Sequence, residues 1–461
     1  MLHTDTICAT STAQGMGALG IIRVSGNDSI SIVNQIFKGK DLTKVESHSV
    51  QYGFVISPAS NAQPPTSNPE LIIDEVMVSV FKAPKTFTAE DLVEITCHGS
   101  PYIQQEILEV LISKGARLAE PGEFSQRAFM NGRIDLSQAE AIADLISAQN
   151  KASHKVALNQ MRGGISSELK DLREELINFT ALIELELDFS EEDVEFANRS
   201  ELQTLVSSIK TKVAGLLKTF EYGNAIKNGV PVAIIGKPNA GKSTLLNYLL
   251  NEERAIVSDI AGTTRDTIEE TINLDGITFR FIDTAGIRET TDEIEAIGVE
   301  KAKEKVEQAK IVIHLYEDDQ SILEGLMDLL KDKIVFNLKS KIDKVGDIDP
   351  NSQSPAGFTE FGISVKGNLN LDRLKTELVD KIKSGVEEDA VVITNLRHKE
   401  ALQQALEALN NVESGMRMGL TGDLLAFHLR ETLKHIGSIT GQIDVDKDIL
   451  GTIFGKFCIG K

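Results

Sequence analysis

The sequence predicts a multidomain protein of mixed α/β and α class: an α+β domain at the N-terminus and a discontinuous helical domain with an α/β block inserted in it. Three observations lead there. At 461 residues the chain exceeds what one hydrophobic core ordinarily organises. Its apolar periodicity changes from strand-like to helical near residue 126, then to alternating strands and helices over 229–383. Helical patterns return afterwards, so a compact block is bracketed by helices, and the ends of such an inserted domain should lie close together.

Residues 1–125 make the first domain. "GIIRV", "EVMVSVF" and "LVEITCHG" are β-branched runs bounded by Gly, Pro or polar residues, which reads as strands. "PYIQQEILEVLISKG" is the one clear helix, with Pro101 near its start and Gly115 just past its end. "PASNAQPPTSNPE" between them is a Pro/Asn/Ser loop, expected to be exposed and mobile. Residues 126–228 are the first helical piece: Leu169, Leu172, Leu176, Phe179 and Ile183 form one stripe of a long helix. "FSEEDVEF" closes or bends that helix, its carboxylates forming a solvated face. Over 229–383, "VPVAIIG", "ITFRFIDTAG", "AKIVIHLY", "DKIVFNL" and "EFGISV" alternate with helical patterns, which predicts a parallel sheet. Residues 384–461 carry the second helical piece and end in "FCIGK".

Composition narrows the function. A net charge of −21 argues against a protein that sheathes nucleic acid, because counterion release needs many clustered cations; a local basic patch gripping a folded RNA is still compatible. No run of 18 apolar residues is present, so no membrane span is expected. The start, "MLHTDTICATSTAQG", has an acid where a signal peptide carries cations and lacks an apolar core. Three cysteines, Cys8, Cys97 and Cys458, fit a reducing cytoplasm better than a disulfide framework. The last four residues have the outline of a prenylation box, but Gly460 is not aliphatic, Lys461 is an unusual final residue, and no polybasic run precedes them.

Two glycine-rich runs compete as phosphate loops. Gly15 to Gly20 spells G-x-G-x-x-G, yet it precedes a strand instead of following one, so a turn is the better reading. "GKPNAGKST", Gly236 to Thr244, follows the strand "VAIIG" and opens the helix "STLLNYLL", as a P-loop must. There Asn239, Ala240, Gly241 and Thr244 frame the phosphates, Lys242 reaches the β and γ oxygens, and the Ser243 hydroxyl binds Mg²⁺. Further pieces follow in order. Thr264 in "GTTRD" can complete the Mg²⁺ shell. In "DTAG" (Asp283, Thr284, Ala285, Gly286), Asp283 can hold the ion through water and the Gly286 N–H can meet the γ-phosphate. Ser340-Lys341-Ile342-Asp343 follows the strand "KIVFNL"; Asp343 would accept the two donors on guanine's edge, which adenine lacks. Ser364, Val365 and Lys366 can back the base with main-chain N–H groups. Together these make a Ras-like P-loop GTPase domain that uses GTP and Mg²⁺.

Two positions depart from the Ras pattern. Ser340 stands where Asn is usual, which predicts nucleotide binding weaker by one hydrogen bond, about 1 kcal/mol. Ile287 stands where Ras-type enzymes place a water-orienting Gln. Another charge must then balance the transition state. A monovalent cation held near Asn239 and the carbonyls of "VSDIAG" (257–262) would do so. Glu289 is the nearest carboxylate able to hold the water; an exposed loop acid is the alternative.

The chain as a whole resembles the MnmE (TrmE) family of tRNA-modification GTPases. Beyond the GTPase motifs the resemblance rests on "DTICATSTAQGMGALGIIRVSG", "FTAEDLVEITCHG", "RLAEPGEFSQRAFMNGRIDLSQAEAIADLI", "DIAGTTRD", "DTAGIRE" and "FCIGK". It implies a homodimer with an N-terminal folate-binding and dimerisation domain and a G domain inserted in a helical one. It implies that K⁺, on positions matching Asn239, Ser258, Ile260 and Thr263, pairs the G domains and switches on hydrolysis, with Glu289 as the catalytic glutamate. It implies a flavoprotein partner, MnmG (GidA), in a heterotetramer or larger complex. With it, such proteins build an aminomethyl or carboxymethylaminomethyl group on C5 of the wobble uridine of certain tRNAs, using 5-formyl- or 5,10-methylene-tetrahydrofolate. Arg23, Glu94, Arg133 and Lys461 fall on folate-contacting positions. Without the resemblance, Arg23 reads as a strand residue in a local ion pair.

For Cys458 two readings stand: a thiol near the one-carbon unit, or a small buried apolar residue. Arg127, Lys151, Lys155 and Arg162 are candidate tRNA contacts, with a solvated helix face as the alternative. Two rival functions are kept: a ribosome-assembly type of switch GTPase without modification chemistry, and a folate-dependent transferase that needs no flavoprotein.

Overall fold

The computed structural model describes residues 5–57, 71–188, 199–253, 270–282, 295–317, 325–345, 357–384 and 390–442. The Pro/Asn/Ser loop at 58–70 and "FSEEDVEF" at 189–196 lie outside these described residues. The chain divides into two compact units: residues 1–143, 160–166 and 436–461 in the first, 144–159 and 167–435 in the second.

The first unit is built on a seven-stranded sheet in the order β3-β4-β5-β6-β2-β1-β7. These strands are β1 (Ile7–Thr10), β2 (Leu19–Ser25), β3 (Phe37–Lys38), β4 (Ser49–Ser57), β5 (Leu71–Phe81), β6 (Leu92–His98) and β7 (Arg117–Leu118). The period of two in the sequence sorts the faces. Val76, Val78 and Val80 of β5, Val93, Ile95 and Cys97 of β6, and Ile22 and Val24 of β2 are all buried. They form one core with α1 (Ser29–Ile36) and α2 (Pro101–Ser113). The expected helix is α2: Pro101 is its first residue, and Gly115 takes a left-handed φ of +106° just past its end. One helix was not expected, α1, while α3 (Glu123–Met130) opens the helical stretch expected from about residue 126, a turn early. The β-branched run "SISIVNQI" of α1 reads as a strand by propensity, but burying Ile30, Ile32, Val33 and Ile36 overrides that weak preference.

The opposite face of this sheet carries the cross-strand rows Tyr52–Met77–Thr96–Ile21 and Val50–Ser79–Glu94–Arg23–Ala9. Tyr52, Met77 and Val50 are exposed there. At the β1 end, Phe124 of α3 packs on Ile7 and Ala9.

The helical stretches are α4 (Leu136–Ser147), α5 (Lys151–Met161), α6 (Gly164–Asp188) and α7 (Arg199–Asn228) before the second sheet. In α6 the expected stripe is real: Leu169, Leu172, Leu176 and Ile183 are buried and Phe179 is half-buried.

The second unit holds a six-stranded sheet in the order β13-β12-β11-β8-β10-β9. Its strands are β8 (Val230–Gly236), β9 (Glu270–Leu274), β10 (Ile277–Phe281), β11 (Ile311–Tyr316), β12 (Ile334–Lys339) and β13 (Thr359–Gly362). The helices among them are α8 (Lys242–Glu253), α9 (Glu295–Gln308), α10 (Met327–Leu330), α11 (Ile342–Val345) and α12 (Leu371–Lys383). Five strands run parallel, as expected, but β9 is an antiparallel edge on β10. Asp275 and Gly276, at φ +48° and +83°, make the tight hairpin between them. Asp-Gly between two apolar runs is the standard signal for such a turn. The central strands β8 and β11 read as mainly apolar runs because both faces are covered. Ile311, Ile313 and Leu315 pack with Leu245 and Leu249 of α8 and Leu374 and Leu378 of α12. Val312 packs on the other side with Val306 of α9 and Leu330 of α10.

After the sheet come α13 (Leu396–Met418) and α14 (Gly422–Thr440). Helix α13 packs along α7, burying Leu202, Val206, Ile209 and Val213 of one and Leu402, Ala405, Leu409 and Val412 of the other. The Lys210–Glu413 ion pair joins the same two helices. Gly223 of α7 must stay a glycine: a Cβ there would lie 2.1 Å from the Ile393 carbonyl oxygen.

Candidate functional site

The carboxyl ends of β8, β11, β12 and β13 converge on one edge of the six-stranded sheet, where open α/β sheets bind their ligands. Strand β8 ends at Gly236, with φ +149°, where a Cβ would stand 2.3 Å from the Leu315 carbonyl oxygen. Asn239 and Gly241, at φ +64° and +101°, then turn the chain into α8. Lys242 donates from Nζ to the Gly236 carbonyl at 2.7 Å and the Lys237 carbonyl at 2.8 Å. Burial first, and the nearby Lys305 charge second, push its pKa below the ordinary value. The half-buried Ser243 and the exposed Thr244 follow in the first turn, where free N–H groups and the helix dipole favour anions.

The opposite wall is the turn after β12. Ser340 is anchored by its N–H to the Tyr316 carbonyl at 2.7 Å. Lys341 takes φ +59° and reaches back: its Nζ donates to the Asn239 carbonyl at 2.8 Å and pairs with Glu317. This strap ties the turn after β12 to the phosphate loop. Ser364 donates from Oγ to an Asp343 carboxylate oxygen and accepts from the Gly367 N–H at 3.0 Å. Reciprocal main-chain bonds between Ser364 and Leu369 close the loop whose tip carries Val365 and Lys366.

Ala240, Gly241, Thr244, Ser340, Lys341, Asp343, Ser364, Val365 and Lys366 thus line one open cleft of about 500 Å³, with Leu245, Leu315, Lys344 and Ile363 completing its wall. The structure brings these nine expected residues together from three separate stretches, 240–244, 340–343 and 364–366. Sequence reasoning missed Glu317, the apolar wall, and the side-chain role of Ser364, to which it assigned main-chain donors only. An acid directly after a fully buried strand was the available signal for Glu317. The expected residues Ser258, Ile260, Thr263, Thr264, Asp283, Thr284, Ala285, Gly286 and Glu289 lie outside the described residues, as do Cys458 and Lys461.

In the first unit, Arg23 and Glu94 are direct cross-strand neighbours on β2 and β6. Arg23 donates from Nη2 and Nε to Glu94 Oε1 at 2.8 and 3.0 Å. Its guanidinium lies 5.1 Å from the Phe87 ring centre and 5.6 Å from that of Phe124. Arg133 is exposed at the end of α3. Arg127 corrects the sequence expectation: it is 3% exposed, bonded to Asp5, Glu90 and Glu123, and cannot meet an RNA phosphate there. Lys151, Lys155 and Arg162 are exposed. The Gly15–Gly20 run is a turn, held by the Gly17 N–H on the Gly99 carbonyl at 3.0 Å and leading into β2. Cys8 and Cys97 are buried free thiols, pushed up by burial to about 12 and about 11, which makes both inert. No described helix is long and apolar enough to cross a membrane.

Comparison with known proteins decides the family. The model of the MnmE helical domain matches residues 136–458, and that of the GTP-binding protein TrmE N-terminus matches 6–133. The chain belongs to the MnmE family. The tRNA modification GTPase MnmE of Christiangramia forsetii is 49% identical over 492 aligned residues, covering 100% of both chains. That of Cytophaga hutchinsonii is 50% identical over 466, covering 100% of this chain and 98% of the relative. That of Bacteroides fragilis is 48% identical over 483, again covering both chains fully.

Proposed function

We propose that this chain is a K⁺-dependent GTPase that modifies the wobble uridine of certain tRNAs at C5, as a homodimer working with a flavoprotein of the MnmG (GidA) type. The observation that carries the GTPase half is the cleft: nine residues from three stretches around one strand edge, Asp343 among them, with Lys242 on the phosphate loop that forms one wall. Full-length identity to relatives named tRNA modification GTPase supports the RNA half.

Lys242 would hold the β and γ oxygens, and the Lys341 strap would keep the base-side turn in register with the phosphate loop. Ser243 in the first turn of α8, with Thr264, suits Mg²⁺, a hard cation that takes hydroxyl and phosphate oxygens. Asn239 is exposed and can offer its side-chain oxygen to K⁺; Ser258, Ile260 and Thr263 would supply the remaining oxygens. Glu289 would hold the attacking water. Arg23 and Glu94, half-buried beside Phe87 and Phe124, offer a cation, a carboxylate and two rings. That donor set suits a folate, whose pterin presents N–H donors and a flat face and whose tail is anionic. Arg133 and Lys461 would meet the tail, and the folate would supply the one-carbon unit. The exposed apolar row of the seven-stranded sheet, with Tyr52 and Met77, supports pairing of two copies through this unit. The domains would run 1–125, 126–228, 229–383 and 384–461, with the G domain inserted in the helical one, and the protein would act in the cytoplasm.

Mass spectrometry of wobble-uridine nucleosides tests this, in total tRNA from wild type, a deletion and a Cys458→Ser strain. The deletion is expected to lose the C5 modification. Loss in the Cys458→Ser strain too, at normal GTPase rate, assigns chemistry to the thiol; retention leaves "FCIGK" as a docking tail. Normal nucleosides in the deletion would replace this proposal with the switch GTPase.

A further inference from the structure

The guanine-side wall of the cleft has an unusual member. Ser340 lines the cleft but is only 5% exposed. Its Oγ is sealed from solvent and has no hydrogen-bond partner among the described residues. Placed so, the hydroxyl is closed even to water, and a purine ring nitrogen cannot reach it either. The main chain holds it there: the Ser340 N–H is bonded to the Tyr316 carbonyl at 2.7 Å, and Lys341, next in sequence, is tied to Asn239 and Glu317.

Guanine presents donors at N1 and N2 on one edge, and acceptors at O6 and N7. Asp343 is an acceptor and suits the donor edge. The main chain of Ser364 to Lys366, set beside Asp343 by the Ser364 hydroxyl, is the donor source that would suit O6. N7 is then left to position 340. Asparagine there would extend an amide beyond Cβ; serine ends at a buried hydroxyl.

We propose that this cleft reads guanine by its six-membered ring alone and does not read N7, so that it accepts purine nucleotides altered at N7 as readily as the parent. The proposal rests on the guanine-nucleotide reading above and names the substrate class that reading admits. Position 340 is then a specificity-determining residue whose serine widens what the site accepts.

The test is competition binding to the full chain by GDP and by 7-deaza-GDP, in which N7 is replaced by C–H with the shape unchanged. The two dissociation constants are expected to agree within about twofold, since no hydrogen bond distinguishes them. In Ser340→Asn, GDP should gain about fivefold over 7-deaza-GDP, the worth of one hydrogen bond. A wild-type preference for GDP of about fivefold or more would overturn the proposal, because some group then reads N7. The wild-type comparison needs no variant to fold. Failure of the reading beneath it looks different: ADP would compete as well as GDP, or neither would bind.

Discussion

The same side chains, cations and carboxylates, occur in two regions of this molecule and serve opposite ends. In the first unit Arg127, Arg117, Glu123, Asp5 and Glu90 are bonded to one another, with Arg127 and Glu123 each 3% exposed. Every charge there has its counter-charge, and nothing is left to offer a ligand. At the edge of the six-stranded sheet Lys242 and Lys341 donate to main-chain carbonyls, and Asp343 is exposed with one oxygen held by Ser364. Lys242 and Asp343 are held by main-chain and hydroxyl partners without a counter-charge, and Lys341 alone of the three is paired, with the partly exposed Glu317. The difference teaches that charge placement separates a structural cluster from a working one: burial with mutual pairing in the first, strand-end loops with spare valence in the second.

The largest effect should come from breaking the saturated cluster. Glu123→Gln leaves Arg117 and Arg127 without their shared carboxylate and should destabilise the first unit by about 3–5 kcal/mol, read by thermal or denaturant unfolding. GTP turnover measured well below the melting temperature should persist. A loss of turnover with an unchanged melt would reverse the two roles.

Lys242→Ala should do the converse. Removing this charge-stabilising donor is expected to lower kcat for GTP by about 10²–10³-fold, with far-ultraviolet dichroism and the melt near wild type. A drop of only a few fold would mean that the ammonium over the phosphate loop does little for the transition state.

A smaller effect concerns acid. Burial opposes ionisation of Glu123, but the Arg117 hydrogen bond, the Glu120 N–H and Arg127 outweigh it and leave its pKa below the ordinary 4.5. The hydrogen bond from Arg117 lowers Asp5 below 3.8 in the same way, against a smaller effect of burial. Carboxylates with depressed folded pKa values contribute stability that is fully present above their unfolded values and lost as pH falls through the folded ones. The first unit should therefore hold its melting temperature down to about pH 5 and lose it below about pH 4. The loss should be shallower in Glu123→Gln. An equal slope in both proteins would remove this cluster from the acid response.

How much of this was legible in the sequence follows the same division. The phosphate loop is contiguous: Gly236, Asn239, Gly241 and Lys242 announce their backbone geometry by residue type and spacing, so the motif and its place after β8 were readable. Strands β2, β5 and β6 and helix α2 were readable from period and punctuation. The hairpin edge β9 is signalled by Asp275-Gly276, but its run "ETINL" is short and alternates polar with apolar residues, unlike the buried parallel strands beside it. What depends on register was not readable. Arg23 and Glu94 are 71 residues apart, and only the antiparallel pairing of β2 with β6 sets them side by side. Arg127 looked like a surface cation on a helix; its burial depends on Asp5 and Glu90, which reach it from distant parts of the chain. The sealing of the Ser340 hydroxyl is likewise a matter of packing, which residue identity alone does not display.

The most direct test of the central claim, that this strand edge is a guanine-nucleotide site read through Asp343, is calorimetric titration of wild type and Asp343→Asn with GDP and with xanthosine diphosphate. Xanthine offers an oxygen acceptor where guanine carries its 2-amino donor, so a carboxylate should favour guanine and an amide should favour xanthine. The account predicts that the preference inverts between the two proteins. Unchanged preference in Asp343→Asn would contradict it and move base recognition away from this cleft.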